Sequence, residues 1–307
     1  MPTRTYRPIH VARLASGMEL ILPLHEIVGD HSGPTLGISA GIHGEEAVGV
    51  EIVYRFLQTY DLSRLAGRLL VLPVANPFSY AAISRVTSID GGNLNRVFPG
   101  NPDGQLTDQM AHKMVEGFLR QIQYYVDLHA GGAYPTVDYV YILNAEPLSR
   151  AFGSPLLYRA KETLAGTSVS VTRPLNIPSV VVELGGGDVE QSQYVARGIQ
   201  GLANILKTLK MLPGEPAPSP PQIVLNEIAI LRPHQGGLLL PEVTDLGIEV
   251  LGGQVLGRIV SPYSFEELEV FRCPFERGIM VLTHRTADVV EPGIFGYMIG
   301  NLATAER

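Results

Sequence analysis

Apolar runs of strand length alternate with amphipathic stretches of helix length through the first two-thirds of the chain. No other feature constrains the fold as strongly. Strands are expected over residues 36–40, 68–74, 124–128, 137–143 and 179–183, and helices over residues 46–60, 107–121, 147–163 and 190–210. Such alternation predicts an α/β domain with a mainly parallel sheet flanked by helices, spanning residues 1–211. Residues 212–222, rich in proline, cannot continue a helix and read as a semi-rigid linker. From Ile223 onward, short Val, Ile and Leu runs are punctuated by Gly236-Gly237, Gly252-Gly253, Pro274 and Pro292-Gly293, which predicts a small all-β domain over residues 223–307.

Three of the expected parallel strands end in residues that carry chemistry. Gly41-Ile-His-Gly-Glu-Glu46 follows the first, with His43 and Glu46 three apart on a turn that two glycines allow to bend tightly. Val126-Asp-Leu-His-Ala-Gly-Gly132 delivers His129 into another Gly-rich loop, and Val180-Val-Val-Glu-Leu-Gly-Gly-Gly187 ends a third strand in Glu183. Two histidines and one carboxylate form a metal set that leaves a coordination position for water. A carboxylate at the end of a buried strand is costly unless it faces a cleft, a cation or a reacting water. In open α/β sheets ligands bind at such strand ends, so the four residues are expected to converge.

Between the first two motifs stand Asn76-Pro77, Arg85, Asp90-Gly91 and Asn93-Leu-Asn-Arg-Val-Phe-Pro-Gly100. The ordered pattern Gly-x-His-Gly-x-Glu, Asn-Pro, Arg, Asp-Gly, Asn-Leu-Asn-Arg-x-Phe-Pro-Gly, Asp-x-His and Val-x-Glu-x-Gly spans residues 41 to 187. With it, the chain resembles the succinylglutamate desuccinylase and aspartoacylase family, a branch of the zinc carboxypeptidase superfamily. The resemblance implies one zinc per chain on His43, Glu46 and His129, Glu183 as general base, Asn95 and Arg96 holding a substrate carboxylate, and Arg85 polarising the scissile carbonyl. Arg173, ten residues before Glu183, matches in spacing an arginine that aspartoacylases use for an acidic side chain. The resemblance also implies that the C-terminal region is a lipoyl-like barrel-sandwich, here without a lysine at a carrier-type hairpin tip. The expected activity is zinc-dependent deacylation of a small N-acyl amino acid. The alternatives weighed are a zinc carboxypeptidase acting on peptides and a metal- or ligand-binding protein without catalysis.

The chemistry of the residues supports these roles. Zinc lowers the pKa of a bound water to about 7, and a neighbouring carboxylate can relay that water's proton to a leaving amine. Arginine grips carboxylates through two parallel charge-assisted hydrogen bonds. Two positions depart from the family pattern. Asn93 replaces the usual Asp, so a carboxylate that would orient a metal-binding histidine becomes a neutral amide and zinc affinity is expected to fall. Asp127, two residues before His129 and so on the same strand face, is a candidate to compensate. Glu45 replaces the usual Asp or Asn.

Gly37-Ile-Ser-Ala-Gly41 matches the G-x-S-x-G of serine hydrolases, but the elbow between strand and helix is expected later, at His43 and Gly44, so Ser39 is a decoy. Gly185-Gly186-Gly187 lacks the Lys and Ser/Thr of a phosphate loop. A net charge of −7 with no basic stretch argues against nucleic acid. The single Cys273 excludes an intramolecular disulfide framework, and no apolar run is long enough to span a membrane. The expected compartment is the cytoplasm, and homo-oligomerisation is left open.

Overall fold

The computed structural model describes residues 2–161 and 164–307. Its centre is four parallel strands in the order Ala66–Leu72, His31–Ser39, Tyr124–His129 and Ser179–Gly185. Antiparallel strands extend this sheet on both sides: His25–Val28 beyond the first, and Pro135–Ile142 beyond the last.

Alternation along each strand divides the residues between two cores. Leu36, Ile38, Val126, Leu128, Val180 and Val182 pack against helices Ala47–Thr59 and Ser192–Thr208. Leu70, Leu72, Tyr125 and Val181 pack on the opposite face against Met110, Ala111, Met114 and Val115 of helix Leu106–Gly117. Because side chains alternate with period two, Asp127, His129 and Glu183 share the face of Tyr125 and Val181. This face carries the site.

The helix expected over residues 147–163 is a single short one, Glu146–Phe152, succeeded by a strand, Leu156–Arg159. Gly153, left-handed at φ 91°, ends the helix and Pro155 prevents its resumption. Leu156 and Leu157, buried, then take up parallel pairing with Ile223–Leu225 while the Leu156–Arg159 strand also pairs with Pro135–Ile142. The last two positions of the expected helix, Glu162 and Thr163, lie outside the described residues.

Residues 212–222 contain no helix or strand, yet they are tied down. The Ala217 amide donates to Asn204 Oδ1 at 2.9 Å and Gln222 Nε2 donates to the Arg150 carbonyl at 3.0 Å. Beyond them, strands Glu267–Arg272, Val255–Val260, Gly237–Pro241 and Asp288–Val290 form an antiparallel sheet around Leu239, Leu256, Ile259 and Tyr297. The remaining C-terminal strands are continuous with the main sheet: Arg277–His284 pairs with Pro135–Ile142, then with Tyr297–Asn301, which pairs with Ile228–Leu231. A hydrophobic cluster of Val137, Tyr139, Leu156, Leu225, Val281, Leu282 and Met298 straddles this junction.

Candidate active site

The chain leaves the His31–Ser39 strand through Gly41, left-handed at φ 61°, and turns at His43 and Gly44 before reaching Glu46, which stands at the N-cap position of the Ala47–Thr59 helix without a side-chain capping bond. The turn needs glycine at position 44, since a Cβ there would lie 1.8 Å from the Ser79 carbonyl oxygen. On the neighbouring strands Glu183 stands in register with His129, and Ser39 with Asp127. Sheet register and the helix cap therefore bring together residues from three distant stretches of sequence.

His43, Glu46 and His129 meet as a buried group whose potential ligand atoms all lie within 4.8 Å of one another. His43 Nδ1 is 2.7 Å from Glu46 Oε1, and His129 Nδ1 is 2.9 Å from Glu46 Oε2. The other ring nitrogens are also engaged: His43 Nε2 lies 3.2 Å from Asn93 Oδ1, and His129 Nε2 lies 3.2 Å from Asp127 Oδ2. Asn93 thus occupies the orienting position expected of an aspartate, with its carbonyl oxygen but without the charge.

The electrostatics of this group call for a cation. Burial alone would raise the pKa of Glu46 and Asp127, but His43 and His129 hold Glu46 well below the usual carboxylate range, and His129 with two hydroxyls does the same for Asp127. Burial likewise opposes charge on His129, yet Asp127 and Glu46 together raise its pKa well above the ordinary imidazole value. Two Nδ1 atoms turned toward one carboxylate, each imidazole steadied from behind by an oxygen, suit zinc.

Ser39 belongs to this support. Its hydroxyl donates to Asp127 Oδ1 at 2.5 Å and lies 2.7 Å from the Tyr125 hydroxyl, while Ser168 Oγ donates to Asp127 Oδ2 at 2.5 Å. It is fully buried, held by the aspartate rather than by a base, so it is no nucleophile. Asp127→Asn is expected to weaken zinc binding by about 10- to 100-fold while the fold persists, as measured by competition with a chromophoric chelator.

The His43–Glu46–His129 group opens into a cavity of about 160 Å³ that also holds Arg85, Asn95, Arg96 and Glu183. Burial pushes the Glu183 carboxyl up to about 8, against the favourable charge of His129. Arg85 Nη1 is 3.3 Å from Glu46 Oε1 and 3.5 Å from Glu45 Oε1, which gives Glu45 a partner. Asn95 Oδ1 accepts from the Ser168 amide at 3.0 Å, and its Nδ2 lies 3.4 Å from His129 Nε2. Arg96, half-buried, donates to the Asn95 carbonyl at 2.7 Å, and among the described residues no carboxylate pairs with it. Arg173 is not brought in: it is exposed beside Leu143 and Asn144, at a separate small cavity, because the short helix Ser168–Thr172 ends at it.

Sequence reasoning did not find the rest of the cavity wall. Tyr139 and Tyr141 come from the Pro135–Ile142 strand, and Ile230, Leu282, Phe295 and Met298 come from the C-terminal region. Apolar and aromatic residues at ordinary strand positions carry no signal that they face a cleft.

This arrangement of histidines, carboxylates and arginines has counterparts among known proteins. The profile of the succinylglutamate desuccinylase/aspartoacylase catalytic domain matches residues 32–209. The chain belongs to this family. A curated relative, the N-alpha-acetyl-L-2,4-diaminobutyric acid deacetylase of Halomonas elongata, is 30% identical over 246 residues, covering 74% of this chain and 70% of that protein. The product-bound ectoine utilization protein EutE (DoeB) from Ruegeria pomeroyi superposes with a TM-score of 0.86 at 25% identity, covering 98% of this chain and 95% of the other. A succinylglutamate desuccinylase from Silicibacter sp. TM1040 shares the fold, with a TM-score of 0.84 at 24% identity over 98% of this chain and 94% of the other. Nearly the whole chain follows the family architecture, C-terminal strands included.

Proposed function

We propose that the chain is a zinc-dependent deacylase that hydrolyses the amide bond of a small N-acyl amino acid. The observation that carries this reading is the buried His43–Glu46–His129 group opening into the same cavity as Glu183 and Arg96. One zinc per chain, held by those three residues, would supply a Lewis acid that acidifies water and draws charge from the amide oxygen. Arg96 and Asn95 would hold the substrate carboxylate, and a half-buried guanidinium without an acidic partner among the described residues is suited to that. Arg85, now on the carboxylates of Glu45 and Glu46, would turn to the amide oxygen as it becomes negative. Glu183 would take the proton of the attacking water and hand it to the departing nitrogen.

The deacetylase activity named for the Halomonas relative supports amide hydrolysis of an acylated amino acid. The small cavity, walled by C-terminal strands, favours such a substrate over a peptide. Among the described residues no helix is long and apolar enough to cross a membrane.

The test is a panel of N-acetyl and N-succinyl amino acids, with Nα-acetyl-L-2,4-diaminobutyrate included, assayed by release of the free amine. The zinc-loaded protein is expected to hydrolyse at least one member, to lose that activity with a chelator and to regain it with zinc. Turnover that survives complete metal removal, or cleavage only of peptides, would overturn the reading.

A further inference from the structure

One buried hydroxyl joins two ends of the site. Asn95 lies in the short helix Leu94–Arg96, and Leu164, Thr167, Ser168 and Val169 line the same cavity. These two segments are fastened together. The Phe98 amide donates to the Gly166 carbonyl at 3.0 Å, and Gly166 is left-handed at φ 73°, where a Cβ would lie 2.3 Å from the Arg96 carbonyl oxygen. Ser168, fully buried, then spends both of its donors on the site: its amide donates to Asn95 Oδ1 at 3.0 Å, and its Oγ donates to Asp127 Oδ2 at 2.5 Å. Asn95 Nδ2 in turn lies 3.4 Å from His129 Nε2, which lies 3.2 Å from the same Asp127 oxygen. Ser168, Asn95, His129 and Asp127 thus close a ring between the residue assigned to the substrate carboxylate and one assigned to the metal.

We propose that Ser168 is a positioning residue that couples the grip on the substrate carboxylate to the hold on the metal. This rests on the deacylase reading above, and it adds a residue that acts through two others, Asn95 and Asp127.

Three observations support the assignment. First, the Ser168 amide occupies Asn95 Oδ1, so the group that Asn95 keeps for a carboxylate is Nδ2, a donor. Turned over, the side-chain amide would present an acceptor and repel the substrate. Second, the two donors of Ser168 belong to one residue, its Oγ standing only Cα and Cβ away from its amide nitrogen. A shift of Asn95 as it takes up a carboxylate therefore carries the hydrogen bond to Asp127 with it. Third, Asp127 has little room to absorb such a shift. It is buried, and Ser39 Oγ holds its other oxygen at 2.5 Å, so a lost Ser168 bond is not replaced from bulk water and is felt at His129 Nε2. The direct approach of Asn95 to His129, at 3.4 Å, is the longest contact in the ring, which leaves the Ser168 hydroxyl as the firm connection.

The test compares Ser168→Ala with Ser39→Ala, which removes the hydrogen bond on the other oxygen of Asp127 and whose hydroxyl is otherwise spent on Tyr125. Zinc affinity is read by competition with a chromophoric chelator. Kinetics are read at saturating zinc on whichever N-acyl amino acid of the panel wild type cleaves best. Ser168→Ala is expected to weaken zinc binding by about tenfold and to raise KM by about fivefold, with kcat within about twofold of wild type. Ser39→Ala is expected to leave KM within about twofold of wild type. Wild-type zinc affinity or wild-type KM in Ser168→Ala overturns the proposal, and so does a KM raised as far in Ser39→Ala as in Ser168→Ala. Should Ser168→Ala not fold, Ser168→Cys takes its place, since a thiol nearly keeps the volume and donates only weakly. Calorimetry of N-acetyl-L-alanine binding to the zinc-loaded proteins gives a readout that does not need turnover. If wild type hydrolyses nothing in the panel, the deacylase reading fails on its own. The coupling then stands if Ser168→Ala weakens both zinc and N-acetyl-L-alanine binding while Ser39→Ala spares the latter. It falls otherwise, absence of N-acetyl-L-alanine binding to wild type included.

Discussion

Glu183→Gln is expected to keep the fold and the zinc stoichiometry while lowering kcat by about 10²- to 10⁴-fold, the range that a positioned general base contributes. The amide is nearly isosteric with the carboxyl and can still fill the end of its strand, but it cannot accept and return a proton. The register with His129 places position 183 beside the metal group without making it one of the ligands, so metal content is the control that separates loss of chemistry from loss of the site. A pH profile adds a second readout. Burial raises the pKa of Glu183, and the base form exists only above that pKa, so wild-type kcat/KM should rise with pH along its acid limb and a bound cation should move the limb downward. In Glu183→Gln this limb should vanish from the residual activity. A variant that kept wild-type turnover would remove Glu183 from the reaction.

His129→Ala is expected to weaken zinc binding by more than the roughly 100-fold that loss of a supporting partner costs, because a direct ligand disappears. It should also destabilise the protein before any metal is added. The His129 ring stands between two buried carboxylates, with Glu46 on its Nδ1 and Asp127 on its Nε2. Removing one member of a buried charged group leaves its partners uncompensated, at a cost of about 3–5 kcal/mol. Denaturant unfolding in excess chelator measures this separately from the metal affinity. Unchanged stability without metal would mean that the two carboxylates find other partners, and unchanged zinc affinity would exclude His129 as a ligand.

The parallel core was legible because its strands are buried on both faces and end in glycine-bounded turns, a pattern carried within each segment. The convergence of the His43–Glu46–His129 group and Glu183 was legible for the same reason: His43 and Glu46 share one turn, and His129 and Glu183 each terminate an apolar run. The Leu156–Arg159 strand was not legible, because its identity depends on pairing with residues 223–225, some 65 positions away, while its local composition suits a helix equally well. The same holds for Ile230 and Met298, whose place at the cavity comes from Tyr297–Asn301 lying between Ile228–Leu231 and Arg277–His284. Arg173 shows the reverse case: its spacing along the chain matched, but the residue lines a separate small cavity and not that of His43, Glu46 and His129.

The junction between Pro135–Ile142 and Arg277–His284 also bears on how the protein is made. Until residues 277–301 have left the ribosome, part of one side of the Pro135–Ile142 strand has nothing to hydrogen-bond with, and Tyr139, Val281 and Leu282 are not yet packed together. A nascent chain in that state exposes an apolar sheet edge, the kind of surface that draws chaperones or neighbouring chains. It also has an unfinished cavity, since Leu282, Phe295 and Met298 are missing from its wall. Synthesis therefore completes the enclosure of the substrate last, well after both halves of the metal group have been translated.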